Sequence, residues 1–127
     1  MISKAVAYIE ANLGSKMAIR EMADLVTLSQ CQFSRSFKKS LGFPPMVYVR
    51  LRRVERAKFM MTSMGERLSD IALACGFADQ AHFNRSFRRV VGMSPGRWRR
   101  MSQRGKEIAR RSAAAKRAPP GRIGRAD

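Results

Sequence analysis

Acidic residues, cysteine, histidine and long apolar runs are all scarce in this 127-residue chain. Its two cysteines, Cys31 and Cys75, are far apart, and neither has a Cys or His neighbour at metal-ligand spacing, which excludes zinc fingers and disulfide frameworks. No apolar run approaches the roughly 20 residues of a membrane-spanning helix, and segment 2–13 contains Lys4 and Glu10, unlike a signal peptide. We expect reduced thiols in a cytosol and no metal or cofactor, and the length excludes a multidomain enzyme.

The shortage of carboxylates leaves a large positive charge. Lys and Arg number 26 against 9 Asp and Glu, for a formal net charge of +17. This balance favours a polyanionic partner, first nucleic acid and second an acidic membrane or protein. Residues 102–127 lack an apolar stripe and end in prolines and glycines, so we predict a basic, flexible tail. It either has no role or adds non-specific attraction through Arg104, Lys106, Arg110 and Arg111.

The chain contains an internal repeat. A shift of 50 residues aligns FSRSFKK at 33–39 with FNRSFRR at 83–89, and it also aligns Gly42 with Gly92 and Pro45 with Pro95. A shift of 49 aligns the preceding stretch, Met22-Ala23 with Ile71-Ala72 and Leu28 with Phe77. The chain therefore holds two copies of one supersecondary unit.

Each copy reads as a helix, a tight turn and a second helix. In the second copy a short amphipathic helix ends at Gly76, and Asp79 is a good N-cap for the next helix, which Gly92 ends. The inward positions recur at helical spacing in both copies: Met22, Ala23, Val26, Phe33 and Phe37, then Ile71, Ala72, Cys75, Phe83, Phe87 and Val90. Thr27 replaces the turn glycine in the first copy, so we expect that turn to be less favourable.

An amphipathic helix links the copies. Its apolar positions are Tyr48, Leu51, Val54, Ala57 and Met61, and its polar face has Arg50, Arg52, Arg53, Arg56 and Lys58. Segment 2–13 forms a further helix, and no segment shows sustained strand-like alternation. We predict an all-α fold of about seven helices: a helix-turn-helix subdomain over 1–44, a linker helix over 45–63, a second subdomain over 64–101 and the tail.

A helix-turn-helix unit can seat its second helix in the DNA major groove. The outward residues of those two helices are Gln30, Cys31, Ser34, Arg35 and Lys38, then Gln80, Ala81, Asn84, Arg85 and Arg88. Gln and Asn pair bidentately with adenine, and Arg with guanine, so the residue types suit direct base readout. Any solvent-facing helix can display such residues, so periodicity alone leaves this function open.

The second copy also carries a family resemblance. The run IALACGFADQAHFNRSFRRVVGMSPGRWR at 71–99 closely resembles the signature of the AraC/XylS family of bacterial transcription regulators, and the linker matches at Pro45, Tyr48, Arg53-Val54, Ala57 and Met60-Met61. The resemblance spans about residues 2–100. It implies a non-enzymatic, sequence-specific regulator of transcription, an activator rather than a repressor, on the bacterial nucleoid. The implied base-reading residues are Gln30, Cys31, Ser34, Arg35, Gln80, Ala81, Asn84 and Arg85.

Phosphate contacts should supply most of the affinity for double-stranded DNA. The expected donors are Lys38, Lys39, Arg88, Arg89, Arg97 and Arg99, while the linker arginines could join them, face solvent or face an RNA polymerase subunit. Two recognition helices about one helical turn apart require half-sites about 10 bp apart, and unlike outward residues make the site asymmetric. In size the chain resembles the stand-alone family members, which bind as monomers; the alternative is a detached domain of a longer ligand-sensing regulator.

Two other function classes stay open at this stage. A non-specific nucleic-acid-binding protein would use charge alone. An enzyme, such as a DNA-repair protein with Cys31 or Cys75 as nucleophile, is disfavoured because the sequence offers no general base, Gly-rich phosphate loop or paired carboxylates. For His82 we favour helix packing or a phosphate contact over catalysis, and for Trp98 an anchoring role in the second core.

Overall fold

The computed structural model describes residues 2–63 and 65–104, which contain seven helices and no strands. These are α1 (Ile2–Ala11), α2 (Ile19–Leu25), α3 (Gln30–Leu41), α4 (Pro45–Ser63), α5 (Leu68–Ala74), α6 (Gln80–Val91) and α7, helical from residue 95 to the last described residue, 104. The predicted all-α fold is confirmed. The boundary predicted after residue 101 falls inside α7, and the rest of the predicted tail lies outside the described residues. None of the described helices is long and apolar enough to cross a membrane.

Two separate groups of buried side chains form two lobes. In the first lobe α1, α2, α3 and the start of α4 enclose Phe33 and Phe37, whose ring centroids are 5.6 Å apart. In the second lobe the rest of α4 packs with α5, α6 and α7 around Phe83 and Phe87, 5.7 Å apart. Trp98 of α7 contacts Phe87 edge-on at 5.9 Å, as its predicted anchoring role requires.

Helix α4 contributes to both cores. Its buried positions are Pro45, Val49, Val54, Ala57 and Met61. The apolar face predicted from Tyr48 and Leu51 was therefore partly wrong, because these two side chains are only half-buried and Val49 occupies the core position. A helix that contacts two cores along its length presents a slightly different face to each core. A single apolar stripe along the helix therefore does not predict which of its residues are buried.

The predicted caps explain where α3 and α6 begin and end. The Ser29 hydroxyl accepts from the Gln32 amide at 3.1 Å, and the Asp79 carboxylate accepts from the His82 amide at 2.8 Å. Both helices end at a left-handed glycine, Gly42 and Gly92, whose φ angles are +88° and +95°. Because the two copies use the same end signals, they build helices of equal length.

The turns before α3 and α6 have the same backbone hydrogen bond. The amides of Leu28 and Phe77 donate to the carbonyls of Ala23 and Ala72, each at 3.0 Å. The left-handed position is Gly76 in the second turn, with φ of +89°, and Thr27 in the first, with φ of +57°. A β-branched residue is strained in that region, which confirms the prediction that the first turn is less favourable than the second.

Replacing Thr27 by glycine should raise the free energy of unfolding by about 0.5–1 kcal/mol, because glycine relieves the left-handed strain but loses more entropy on folding. Chemical denaturation of the full chain measures the change. Thr27→Ala is the matched control, since it removes the branch and the hydroxyl bond to the Val26 carbonyl but keeps a Cβ. Equal effects of the two substitutions would show that the positive φ is not the cause.

The turn that follows α1 joins the lobes. Leu13 is buried there, beyond the end of α1 that was predicted to include it. A Cβ on Gly14 would lie 2.7 Å from the Ala74 carbonyl oxygen, and a Cβ on Gly76 would overlap the Leu13 carbonyl oxygen. Backbone therefore meets backbone across the lobes. We call this contact, made by residues 13–15, Ala74 and Gly76 together with Arg53, the lobe junction.

Two arginines of α4 reinforce this arrangement. The Arg53 guanidinium donates to the carbonyls of Leu13 at 3.0 Å and Ser15 at 2.7 Å, and Arg52 forms a bidentate pair with Glu10 at 2.8 and 3.2 Å. The Glu10 hydrogen bond raises the pKa of Arg52, whereas burial lowers the pKa of Arg53. The sequence placed both residues on the polar face of α4 and left their contacts open. The structure gives both of them partners within the chain, because their long side chains reach back onto the turn and helix beside α4.

Candidate nucleic-acid interface

Helix α3 presents the first set of predicted base-reading residues together. With Phe33 and Phe37 fixed in the core, Gln30, Cys31 and Arg35 are exposed and Ser34 is half-buried on the opposite face. These four residues line one shallow depression of about 490 Å³ with Ile19, Lys38 and Pro44. The Arg35 guanidinium donates to the Cys31 sulfur at 3.4 Å, so it extends along the helix.

Helix α6 presents the second set in the same manner. Gln80, Ala81 and Arg85 are exposed and Asn84 is half-buried, each in the environment of its counterpart on α3. The two faces differ in chemistry, since Cys31 corresponds to Ala81 and Ser34 to Asn84. Equivalent positions with unlike donors and acceptors can distinguish different base sequences.

Both helices are positively charged and neither contains a carboxylate. Helix α3 has Arg35, Lys38 and Lys39, and α6 has Arg85, Arg88 and Arg89. Among the described residues the ion pairs are Arg52 with Glu10, Lys58 with Glu55 and Arg67 with Asp70, so none involves these six cations. Their charge is available to an anion.

The predicted phosphate-contacting residues fall into two groups. Lys38, Lys39, Arg88 and Arg89 are exposed in the last turns of α3 and α6, where a helix C-terminus also favours cations. Arg97 is exposed on α7. Arg99 instead donates to the Met61 carbonyl at 2.9 Å, which fixes α7 against the end of α4. The prediction did not foresee this partner.

A groove between the lobes contains residues that the sequence reasoning had not assembled. One part, about 170 Å³ in volume, is lined by Arg50 of α4 and by His82, Arg85, Ser86 and Arg89 of α6. An adjoining part of about 130 Å³ is lined by Met46, Val49, Arg50, Arg53, Phe77, His82 and Ser86. We call these two parts the interlobe groove. Only the fold brings α4 and α6 together, although the basic residue types could be read from the sequence.

The cysteines occupy opposite environments. Cys31 is exposed on α3, and Cys75 is buried in the second core, where burial raises the pKa of its thiol. Catalytic cysteines need a lowered pKa, so Cys75 is unsuited to act as a nucleophile. Within residues 2–63 and 65–104 no group of three or more His, Cys, Asp or Glu side chains could hold a metal ion.

Comparison with known proteins decides the family. A model of a helix-turn-helix domain matches residues 22–101. The probable transcriptional regulator LumQ of Photobacterium leiognathi is 38% identical over 91 residues, which are 72% of this chain and 37% of that protein. A crystal structure of a regulator with an AraC-type DNA-binding domain from Chromobacterium violaceum is 31% identical with a TM-score of 0.70, and the match covers 76% of this chain and 87% of that one. The chain belongs to the AraC/XylS family.

A further solved structure has the same fold as this chain. The DNA-binding domain of the global transcriptional factor AdpA, solved with a target DNA, has a TM-score of 0.78 at 24% identity and covers 83% of this chain and 95% of that one. The chain spans about a third of the length of the first curated relatives it matches. The helix-turn-helix domain model and the AraC-type structure confirm the family resemblance carried by residues 71–99.

Proposed function

We propose that this chain is a sequence-specific regulator of transcription that inserts α3 and α6 into successive major-groove segments of double-stranded DNA. The observation that carries the proposal is the pair of equivalent exposed helices, each with polar side chains of the base-reading types, three cations and no carboxylate. Membership of the AraC/XylS family supports it, as do the regulator LumQ and the AdpA domain with its target DNA.

The proposed roles follow the two helix faces. Base edges are read by Gln30, Cys31, Ser34 and Arg35 on α3 and by Gln80, Ala81, Asn84 and Arg85 on α6. Phosphates are bound by Lys38, Lys39, Arg88, Arg89 and Arg97. We omit Arg99, because its bond to the Met61 carbonyl gives it a structural role. The proposed subdomains are 1–44 and 64–104, since α7 continues past the boundary predicted at residue 101, and α4 links them.

The geometry favours one copy of the chain on an asymmetric, bipartite site. Half-sites about 10 bp apart on one face of the duplex would match recognition helices about one turn apart. The exposed part of α4 is the candidate contact for RNA polymerase, a contact that takes no part in binding to DNA alone, and it is consistent with an activator in a bacterial cytoplasm. If the chain is the DNA-binding part of a longer regulator, the same site assignments hold.

Two substitutions test this proposal. Arg35→Ala and Arg85→Ala should each lower affinity for a duplex selected from a random library by about 1–3 kcal/mol, and each should relax the preference at its own base position. Fluorescence anisotropy on single-base variants of the selected duplex measures both effects. Arg56→Ala is the control, since Arg56 is exposed on α4 and lines neither depression.

The same experiment separates the alternatives. A protein that coats nucleic acid through charge alone would select no motif, and both substitutions would weaken every duplex equally. For an enzyme with a cysteine nucleophile, the exposed Cys31 would be the only accessible thiol in the described chain. Mass spectrometry of the chain after incubation with alkylated DNA tests this alternative, and an unmodified Cys31 would leave it without support.

A further inference from the structure

The interlobe groove lies between the two proposed recognition faces. On one side Pro44 borders the α3 depression and is followed along the chain by Met46 and Arg50, which line the groove. On the other side Arg85 belongs to the α6 face and lines the groove as well. The groove therefore adjoins the α6 face directly and the α3 depression through the start of α4, so a duplex that contacts both helices can bring its backbone to it.

The chemistry of the groove suits a phosphate. Arg50, Arg85 and Arg89 converge there with His82, and no carboxylate lines either part. Among the described residues, none of these three arginines has an ion-pair partner. Cations gathered without a counter-charge repel each other, so an anion between them would relieve the repulsion.

The ring of His82 is held in one orientation. Its Nδ1 accepts from the Ala78 amide at 3.2 Å, and the ring packs edge-on against Phe77 at 5.4 Å. Because Nδ1 is an acceptor, the neutral ring has its hydrogen on Nε2. His82 can therefore donate from Nε2 in the groove without first gaining a proton.

We propose that the interlobe groove binds one phosphodiester of the DNA backbone, where the duplex passes from α3 to α6, through Arg50, Arg89 and the Nε2 of His82. This inference rests on the proposed binding of duplex DNA, but it adds Arg50 and His82 to the phosphate contacts and places them with Arg89 at a single phosphate. A phosphate contact carries no sequence information, so it sets the position of the duplex and not the choice of bases.

The test combines one substitution with one modified phosphate. Arg50→Gln in the full chain should weaken binding about 10-fold, as expected for loss of a charge-assisted contact. It should also reduce the slope of log affinity against log salt by about 0.9, on the selected duplex and on a random one. A neutral methylphosphonate placed at each backbone position in turn should weaken the wild type about 10-fold at one position between the half-sites. It should weaken Arg50→Gln less at that position, because only Arg89 and His82 remain to contact the phosphate.

Two further variants control for the loss of charge and for the donor at His82. Arg56→Gln removes the same charge from the same helix outside the groove and should leave the slope and the methylphosphonate pattern unchanged. His82→Phe keeps a ring against Phe77 but removes the donor, so it should reproduce the loss at the same phosphate. If Arg50→Gln behaves like Arg56→Gln while the wild type still selects a sequence, the groove proposal fails and the proposed function stands.

The remaining outcomes separate the ligand sources. The wild type could select no sequence while Arg50→Gln lowers the salt slope and Arg56→Gln does not. That result would support the groove and overturn sequence-specific regulation. Inorganic phosphate at constant ionic strength should not compete with DNA. Competition at millimolar phosphate that Arg50→Gln abolishes would assign the groove to free phosphate and overturn the proposal.

Discussion

Raising the salt concentration from 50 to 200 mM is expected to weaken binding of this chain to duplex DNA by about 10³–10⁵-fold. The reason is the number of cations that we assign to phosphates, which are Lys38, Lys39, Arg50, Arg88, Arg89 and Arg97. Contacts to roughly 6–10 phosphates release the counterions condensed on them, and added salt opposes that release. Anisotropy titrations at several salt concentrations measure the slope.

Two comparisons sharpen the salt experiment. A truncated chain that ends at residue 104 shows how much of the salt slope comes from the described helices and how much from residues 105–127. The selected and random duplexes should have similar slopes but different affinities, because phosphate contacts are common to both and base contacts are not. A loss below about 10-fold over this range would mean that fewer than about two phosphates are neutralised, and would contradict the assigned surface.

Gly76→Ala should lower the free energy of unfolding by about 3–5 kcal/mol, the largest loss we expect from a single methyl group in this chain. A left-handed backbone costs a non-glycine residue about 1–3 kcal/mol, and forcing atoms into a filled space costs about 1–3 kcal/mol more. The new Cβ would overlap the Leu13 carbonyl oxygen and approach the Arg53 Nε to 2.7 Å. Denaturant unfolding of wild type and variant measures the difference.

Gly92→Ala is the matched control for this substitution. Gly92 has almost the same φ, +95° against +89°, but nothing lies within 4 Å of an added Cβ. Its loss should be about 1 kcal/mol, the backbone cost alone. Equal losses at the two glycines would show that the lobe junction is not tightly packed. A Gly76→Ala protein that stays folded should bind the bipartite duplex more weakly than the wild type, because its lobes have moved apart.

The parts of the fold that depend on near neighbours could be predicted from the sequence. Ser29, Asp79, Gly42 and Gly92 act within a few residues of the helix ends, so local patterns identify them. The repeat also predicted the exposure of the equivalent α3 and α6 residues, since fixing the phenylalanines in the core determines the opposite face. The strain at Thr27 could be predicted because the equivalent residue in the second copy is a glycine, Gly76.

The contacts between distant segments could not be predicted. Arg52, Arg53 and Arg99 have partners 38 to 42 positions away. Except for Glu10, those partners are backbone carbonyls, which exist at every residue and leave no pattern in the sequence. The same reasoning explains the groove: Arg50 and Arg89 become neighbours only after α4 has packed against α6.

In the proposed complex, the unlike side chains on the two equivalent helix faces would give a single bound chain one defined direction along the DNA. A palindrome reads the same from either end, so a symmetric dimer on it has no upstream and downstream side. In the proposed complex Cys31 and Ser34 would meet one half of the site, and Ala81 and Asn84 would meet the other. One molecule would then face a fixed direction along the duplex, and inverting its site would turn the exposed surface of α4 toward the gene on the other side.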